Sequence, residues 1–307
     1  MTVTIMRSPK CNLHNMGPEH PEEPARMHKI NDQIISSGLE PVVHFAYAKA
    51  APISALERAH DKDFVKSVFD KAPKDPDERV WLDEDTIMMH RSLDAALHAA
   101  GAVVDAVDLV MSGQTKSVFC AVRPPGHHAG RANSSGFCIF NNVAIGAMHA
   151  LEKYGLERVA IIDFDVHHGD GTQDIVKDDE RILFGSSFQH PFFPFCGDEP
   201  SREGIINVPV PAGTSPEDYR ELIKHWFTAI DEFRPQMIFI SAGFDSHAED
   251  DMGHLRLVES DYAWITENLK SLAEKHCKGR IVSVLEGGYA LSALARSVVA
   301  HVKVLSG

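Results

Sequence analysis

The chain has few of the features that would place it in a specialised class. Its five cysteines (Cys11, Cys120, Cys138, Cys196 and Cys277) are odd in number, scattered and without any Cys-x-x-Cys spacing. That excludes a disulfide framework or a zinc knuckle and reads as reduced thiols. No apolar run approaches the roughly 18 residues that a membrane-spanning helix needs. The N-terminal MTVTIMRSPK lacks the apolar core of a secretion signal, so the cytoplasm is the expected compartment and no membrane partner is expected. Basic charge is scarce: 30 Lys and Arg against 44 Asp and Glu leave a net charge of −14, with no basic cluster. This argues against nucleic-acid binding, which needs a basic footprint. The acidity serves solubility or salt tolerance, or else draws cationic substrates inward over long range. Repeats, low-complexity tracts and long Gly/Ser linkers are also missing.

What is present is an ordinary globular composition, 44% hydrophobic and 24% charged over 307 residues, enough for one large or two small domains. Strand-like apolar runs recur at residues 42–46, 117–122, 159–163, 181–186, 237–242 and 281–285. Between most of them lie segments with apolar residues at helical spacing, at 24–37, 92–111, 141–154, 216–233, 261–276 and 291–304. Ser215-Pro216-Glu217-Asp218 reads as a helix start, with a cap, a proline in the first turn and early acids. Alternating strand and helix predicts an α/β fold: an open, mostly parallel sheet with helices on both faces. One domain over residues 1–307 is the simplest organisation, with 70–84 as a charged, proline-bearing loop inside it.

In such a sheet, ligands bind beyond the carboxyl ends of the strands. Four of the apolar runs end there in reactive residue types. One leads to Arg123-Pro124-Pro125-Gly126-His127-His128, and a second to Asp163, Asp165, His167 and Asp170. The others lead to Gly243-Phe244-Asp245 and to Glu286-Gly287-Gly288-Tyr289. Asp163, Asp165 and His167 alternate, so an extended segment projects them to one side. Carboxylate with imidazole suits a hydrolytic divalent metal such as zinc. A plain solvated loop rarely carries so many aspartates and histidines directly after an apolar strand. A catalytic zinc takes about three protein ligands and keeps one position open. Asp165 and His167 supply two, and Asp245 is the best-placed third, although alone it reads as a turn or cap residue. The tandem His127-His128, behind a rigid Pro-Pro-Gly turn, suits two roles: a general base, and an acid or electrostatic stabiliser. Asp163 and Asp170 remain to orient them, and among 18 histidines others are bystanders. Tyr289, after two glycines, either packs or donates to a developing oxyanion.

Together with Phe137-Cys138 and Asn141-Asn142, these four segments resemble the zinc-dependent histone deacetylase / acetylpolyamine amidohydrolase family, nearer its class II branch, over almost the whole chain. The resemblance implies an arginase–deacetylase fold and zinc, or iron(II) in its place, on Asp165, His167 and Asp245. It implies His128 as general base and His127 as its protonated partner, oriented by Asp170 and Asp163 respectively, with Tyr289 polarising the scissile carbonyl. Phe137 and Phe193 would wall a narrow channel that Gly136 and Met252 also line. An inner potassium ion would use Asp163, Asp165 and His167 with Ser186 and the Ser187 carbonyl. An outer one, held mostly by backbone, would fall near Val176, Asp179 and Ile182, where Val176 and Asp179 depart from the usual residues.

The expected substrate is a small acetylated amine, acetylpolyamines foremost. The alternatives are acetyl-lysine in proteins and a non-catalytic ligand-binding scaffold. Arginase-type chemistry lacks a second set of carboxylates for a two-metal centre. Glu19, Glu22, Glu23, Asp83, Glu84 and Asp85 are expected to flank the mouth and attract a polycation. Met252 stands where a polyamine-selective relative carries a glutamate gatekeeper, which points to a broader enzyme. A homodimer that narrows the mouth is also implied by the resemblance.

Overall fold

A sheet whose central strands are buried on both faces forms the middle layer of the molecule. In the computed structural model, residues 3–199 and 201–307 are described. The chain runs through β1 (Val3–Arg7), α1 (Ala25–Ser36), β2 (Val43–Tyr47), α2 (Ile53–Ala59), α3 (Lys62–Lys71), β3 (Arg79–Trp81), β4 (Ile87–Met89) and α4 (Ser92–Met111). It continues through β5 (Ser117–Ala121), α5 (Asn142–Tyr154), β6 (Val159–Asp163), α6 (Asp170–Val176), β7 (Ile182–Gln189) and β8 (Ile205–Val210). The last elements are α7 (Pro216–Phe233), β9 (Ile238–Ala242), α8 (Glu259–Cys277), β10 (Ile281–Leu285) and α9 (Leu291–Ser306). Eight strands form one sheet in the order β2-β1-β5-β10-β9-β6-β7-β8, every pair parallel, while β3 and β4 make a separate antiparallel hairpin.

Every residue of β5, β6, β9 and β10 is buried, as expected for parallel strands covered by helices. Side chains alternate between two cores. Val159 and Ile161 pack with residues of α2 to α5, and Ala160 and Ile162 with residues of α1, α7, α8 and α9. Helix ends follow local chemistry: the Ser215 hydroxyl accepts from the Asp218 amide at 3.2 Å to start α7.

The predicted open parallel sheet with helices on both faces is the fold observed. Sequence reading missed β1, inside the sheet, and β8, at its edge. β8 contains Pro209, which breaks a strand pattern yet is tolerated at a sheet edge, where an amide donor is dispensable. The predicted loop at 70–84 contains β3, whose pairing with β4 is a tertiary gain invisible to apolar periodicity. Among the described residues, no helix is long and apolar enough to cross a membrane.

Candidate active site

The topology decides which segments meet. β5, β10, β9 and β6 are consecutive in the sheet, so the residues following them share one edge. Asp163 is the last residue of β6. Beyond it the chain bends, because Asp163 Oδ1 accepts from the Asp165 amide (3.1 Å) and Asp165 Oδ1 from the His167 amide (2.9 Å). These are two successive aspartate-closed turns. They correct the expectation that Asp163, Asp165 and His167 project together from an extended segment. Asp163 instead accepts from His127 Nδ1 at 2.9 Å, and Asp165 and His167 turn towards Asp245.

Among the described residues, Asp165, His167 and Asp245 bring their ligating atoms within 4.8 Å of one another, and all three are buried. His167 Nδ1 lies 3.0 Å from Asp165 Oδ1 and 3.4 Å from Asp245 Oδ2. The latter oxygen is buried and has no hydrogen-bond partner among the described residues. Burial, and then the charge of Asp165, push the Asp245 carboxyl above its usual range. A Cβ on Gly287 would sit 2.0 Å from Asp245 Oδ2 and 2.6 Å from Asp165 Oδ2, so only glycine leaves this space open. Two like-charged buried carboxylates, one imidazole and an orphaned oxygen fit a zinc-type dication with three protein ligands.

The tandem histidines are held from two sides. Glu286 Oε2 accepts from the amides of Gly126 (2.6 Å) and His127 (3.1 Å), tying the loop after β5 to the end of β10. His128 Nδ1 donates to Asp170 Oδ1 at 2.6 Å, at the start of α6. The two rings lie 4.0 Å apart by centroid, yet their surroundings differ. Burial opposes charge on His127, but Asp163 and Asp165 beside it outweigh burial and raise its pKa well above the ordinary value. For His128, burial and then the charge of His127 lower it. The arrangement favours an imidazolium beside a neutral imidazole.

A cavity of about 280 Å³ opens onto these groups, lined by His128, Gly136, Phe137, His167, Phe192, Phe193 and Tyr289, with Asp85, Asp251 and Met252. Ser135 and Cys138 exchange amide–carbonyl bonds of 3.2 and 2.9 Å around Gly136 (φ +56°) and Phe137 (φ +67°). This two-residue turn needs positive φ at both centres. Phe137 bears strain of about 1 kcal/mol or more, and the β3–β4 connection secures it. Asp85 Oδ1 accepts from the Gly136 amide and Thr86 Oγ1 from the Phe137 amide, each at 3.0 Å. Phe193 meets the His128 ring edge-on at 5.1 Å, and Phe192 stacks on His167 at 5.6 Å. A larger cavity of about 360 Å³, beside Arg7 and Tyr47, shares no lining residue with this one.

Several residues around Tyr289 escaped sequence reasoning. Asp250 Oδ2 accepts from the amides of Tyr289 (2.6 Å) and Ala290 (2.9 Å), and Asp250 Oδ1 from that of Met252 (3.0 Å). Arg26, on α1, donates to the carbonyls of Gly288 (2.7 Å) and Glu286 (2.6 Å) and lies 4.9 Å from the Tyr289 ring centroid. Glu22, expected at the mouth, is instead fully buried, accepting from Arg26 at 3.1 Å and from Arg123 at 2.5 and 2.6 Å. Burial pushes its carboxyl up, but Arg123 outweighs burial and holds it at about 2. Of the predicted mouth acids, Asp85 lines the cavity. Spacing cannot separate Arg26 from a solvated helix residue, nor Asp250 from its acidic neighbours; Glu286 alone had a signal, its place before Gly287-Gly288-Tyr289.

Arg26→Met, which cuts both carbonyl contacts and strips a counter-charge from Glu22, should cost about 3 kcal/mol in urea unfolding. Displacing the Tyr289 turn should slow turnover by roughly 10- to 100-fold in steady-state assays. Unaltered stability and rate would show that Arg26 does not hold the turn.

Of the residues expected around potassium, Asp163 ends β6 in register with Ser186, which lies with Ser187 inside the neighbouring β7. Their side chains are engaged within the protein: Ser186 Oγ with His168 Nδ1 at 3.0 Å, Ser187 Oγ with Tyr219 Oη at 2.6 Å.

The family profile described as "Histone deacetylase domain" matches residues 20–305. The chain is similar to the "Probable deacetylase" of Archaeoglobus fulgidus, 38% identical over 288 residues that cover 91% of this chain and 79% of that protein. It is 35% identical over 325 residues to the "Polyamine deacetylase HDAC10" of Homo sapiens, covering 100% of this chain and 47% of that one. With the "Type-2 histone deacetylase 2" of Dictyostelium discoideum, identity is 44% over 248 residues, 72% of this chain and 14% of the relative. The chain therefore spans half or less of these last two proteins. The crystal structure of the HDA15 HD domain superposes with a TM-score of 0.92 at 32% identity, covering 100% of this chain and 88% of that one.

Proposed function

This chain belongs to the histone deacetylase family of zinc-type deacetylase hydrolases, and from that premise we propose that it releases acetate from small acetylated amines, acetylpolyamines foremost. The observation that carries the substrate reading is the charge of the channel. Among the described residues its lining holds Asp85 and Asp251 and no lysine or arginine, between aromatic walls that reach His167, which clusters with Asp165 and Asp245. An acetamide on an aliphatic chain fits the walls, and its distal ammonium fits the two carboxylates. The relative named a polyamine deacetylase supports the same class. Five unpaired cysteines support a cytoplasmic setting.

Zinc held by Asp165, His167 and Asp245 supplies, when bound, a Lewis acid for the amide carbonyl and an acidified water. His128, kept neutral by burial and oriented through Nδ1 by Asp170, takes the proton of the attacking water. His127, held protonated by Asp163, contributes positive charge beside the forming tetrahedral centre, and the histidine pair returns a proton to the departing amine. Tyr289 Oη donates to the oxyanion. Phe137, Phe192 and Phe193 keep bulk water from the alkyl chain. Potassium at Asp163, Asp165, His167, Ser186 and Ser187 remains part of the reading, supported by the adjacency of Asp163 and Ser186.

Met252, in place of an acidic gatekeeper, favours a second reading, deacetylation of acetyl-lysine in proteins. The discriminating assay is acetate release from N8-acetylspermidine, acetylputrescine, acetylcadaverine and an acetyl-lysine peptide. Polyamines should lead in kcat/KM by about tenfold or more. Asp251→Asn should lower that advantage about two- to fivefold while leaving an uncharged N-alkylacetamide unaffected. A leading peptide would replace the polyamine reading with the protein one.

A further inference from the structure

Between the end of α6 and the start of β7, three backbone carbonyls converge on one nitrogen. Arg202 Nη2 lies 3.1 Å from the Val176 oxygen, 2.8 Å from that of Asp179 and 3.0 Å from that of Ile182. The same guanidinium donates through Nε to the Lys177 carbonyl (2.5 Å) and through Nη1 to the Glu203 carbonyl (2.7 Å). All five contacts are to the backbone.

An arginine Nη carries two hydrogens, so it cannot saturate three carbonyls with directed bonds. Three oxygens around one point form the arrangement that accepts a spherical cation in place of its hydration shell. The distances exceed the roughly 2.0–2.6 Å of magnesium and calcium sites, which makes this a cage for a large monovalent charge. Its origin is local. Val176 closes α6 and Lys177 caps it, at the negative end of the helix dipole. The Val176 and Asp179 oxygens each also accept one amide, from Asp179 (3.0 Å) and Ile182 (3.1 Å), and a carbonyl oxygen keeps a second lone pair for a cation. The resemblance placed an outer potassium ion here, but the residues present do not fit a free ion, because Arg202 fills the cage.

We infer that Arg202 is the resident cation of this carbonyl cage, a tethered guanidinium that makes the α6–β7 turn independent of a free monovalent ion. It is also a positioning residue, since α6 begins with Asp170, the partner of His128; that second link rests on the role proposed for His128.

The test is thermal unfolding of the zinc-loaded wild type and Arg202→Ala, in potassium chloride and in tetramethylammonium chloride at equal ionic strength. Arg202→Ala should melt about 5 °C below wild type in tetramethylammonium and recover half or more of the loss in potassium. Any response of an inner potassium site is common to both proteins and cancels in the difference. The kcat of the variant should fall and recover with the same salt pattern; recovery of melting without recovery of kcat would overturn the link to His128 and leave the cage intact. An equal deficit in both salts would overturn the inference, because the carbonyls would then hold no ion in place of Arg202. Should the variant not fold, wild-type crystals soaked in thallium(I) decide the matter. No anomalous peak among the three carbonyls supports the tethered cation, and a peak there with Arg202 displaced refutes it.

Discussion

Asp245→Asn is expected to lower kcat/KM by about 10³-fold or more and to reduce bound zinc from near-stoichiometric to near zero. Altering a group that merely orients a metal ligand costs roughly 10- to 100-fold, and replacing a ligand in a three-ligand site should cost more. The substitution is chosen to spare the fold. Asp245 Oδ1 accepts from the Val166 amide at 2.8 Å, a bond that the asparagine carbonyl retains. What is lost is the second carboxylate oxygen, buried and without a hydrogen-bond partner among the described residues. Metal content by elemental analysis and acetate release are the readouts. In the wild type, stripping zinc with a chelator should lower the melting temperature by about 10 °C, as for a ligand held about a thousandfold above its Kd. A variant that keeps full zinc and full activity would move the metal to other donors.

Tyr289→Phe should lower kcat by roughly 10²- to 10³-fold, the range measured for removing one oxyanion donor, with KM and zinc content unchanged. The hydroxyl makes no hydrogen bond among the described residues, while the ring is placed by Arg26 at 4.9 Å and Phe137 at 6.1 Å. Phenylalanine keeps both contacts, so the measured loss isolates the donor. Burial, ahead of the opposing charge of Arg26, raises the phenol well above its ordinary pKa. The hydroxyl therefore stays protonated and able to donate, and the pH profile of the wild type should carry no Tyr289 limb. An unchanged kcat would remove Tyr289 from the chemistry and leave oxyanion stabilisation to zinc and His127.

Much of the site was legible before the fold, because its parts are built from short-range chemistry. The apolar run ending at Asp163 reads as a strand, and the aspartates that follow close their own turns on amides two residues away. Pro124-Pro125-Gly126 announces a fixed loop ahead of His127-His128. Geometry beyond that reach was misjudged. Treating Asp163, Asp165 and His167 as one extended row overlooked those turns, and placing Glu22 at the mouth assumed that an acid in a loop faces water. Phe192 was passed over for its neighbour because adjacent phenylalanines look alike until one of them stacks on His167.

The sequence by itself determined the alternation of strand and helix, the reactive residue types at four strand ends and the chemistry they imply. Those follow from apolar periodicity and from hydrogen bonds that span a few residues. Only the tertiary structure decided that β10 and β9 lie between β5 and β6, which brings the four segments to one edge. It alone made Glu22 a buried counter-ion, set Arg26 behind the tyrosine turn and seated Arg202 among helix-end carbonyls. Whether a charge is solvated or buried depends on which partner reaches it, and here the partners are distant: Glu22 and Arg123 are 101 residues apart, and Arg26 and Gly288 are 262 apart.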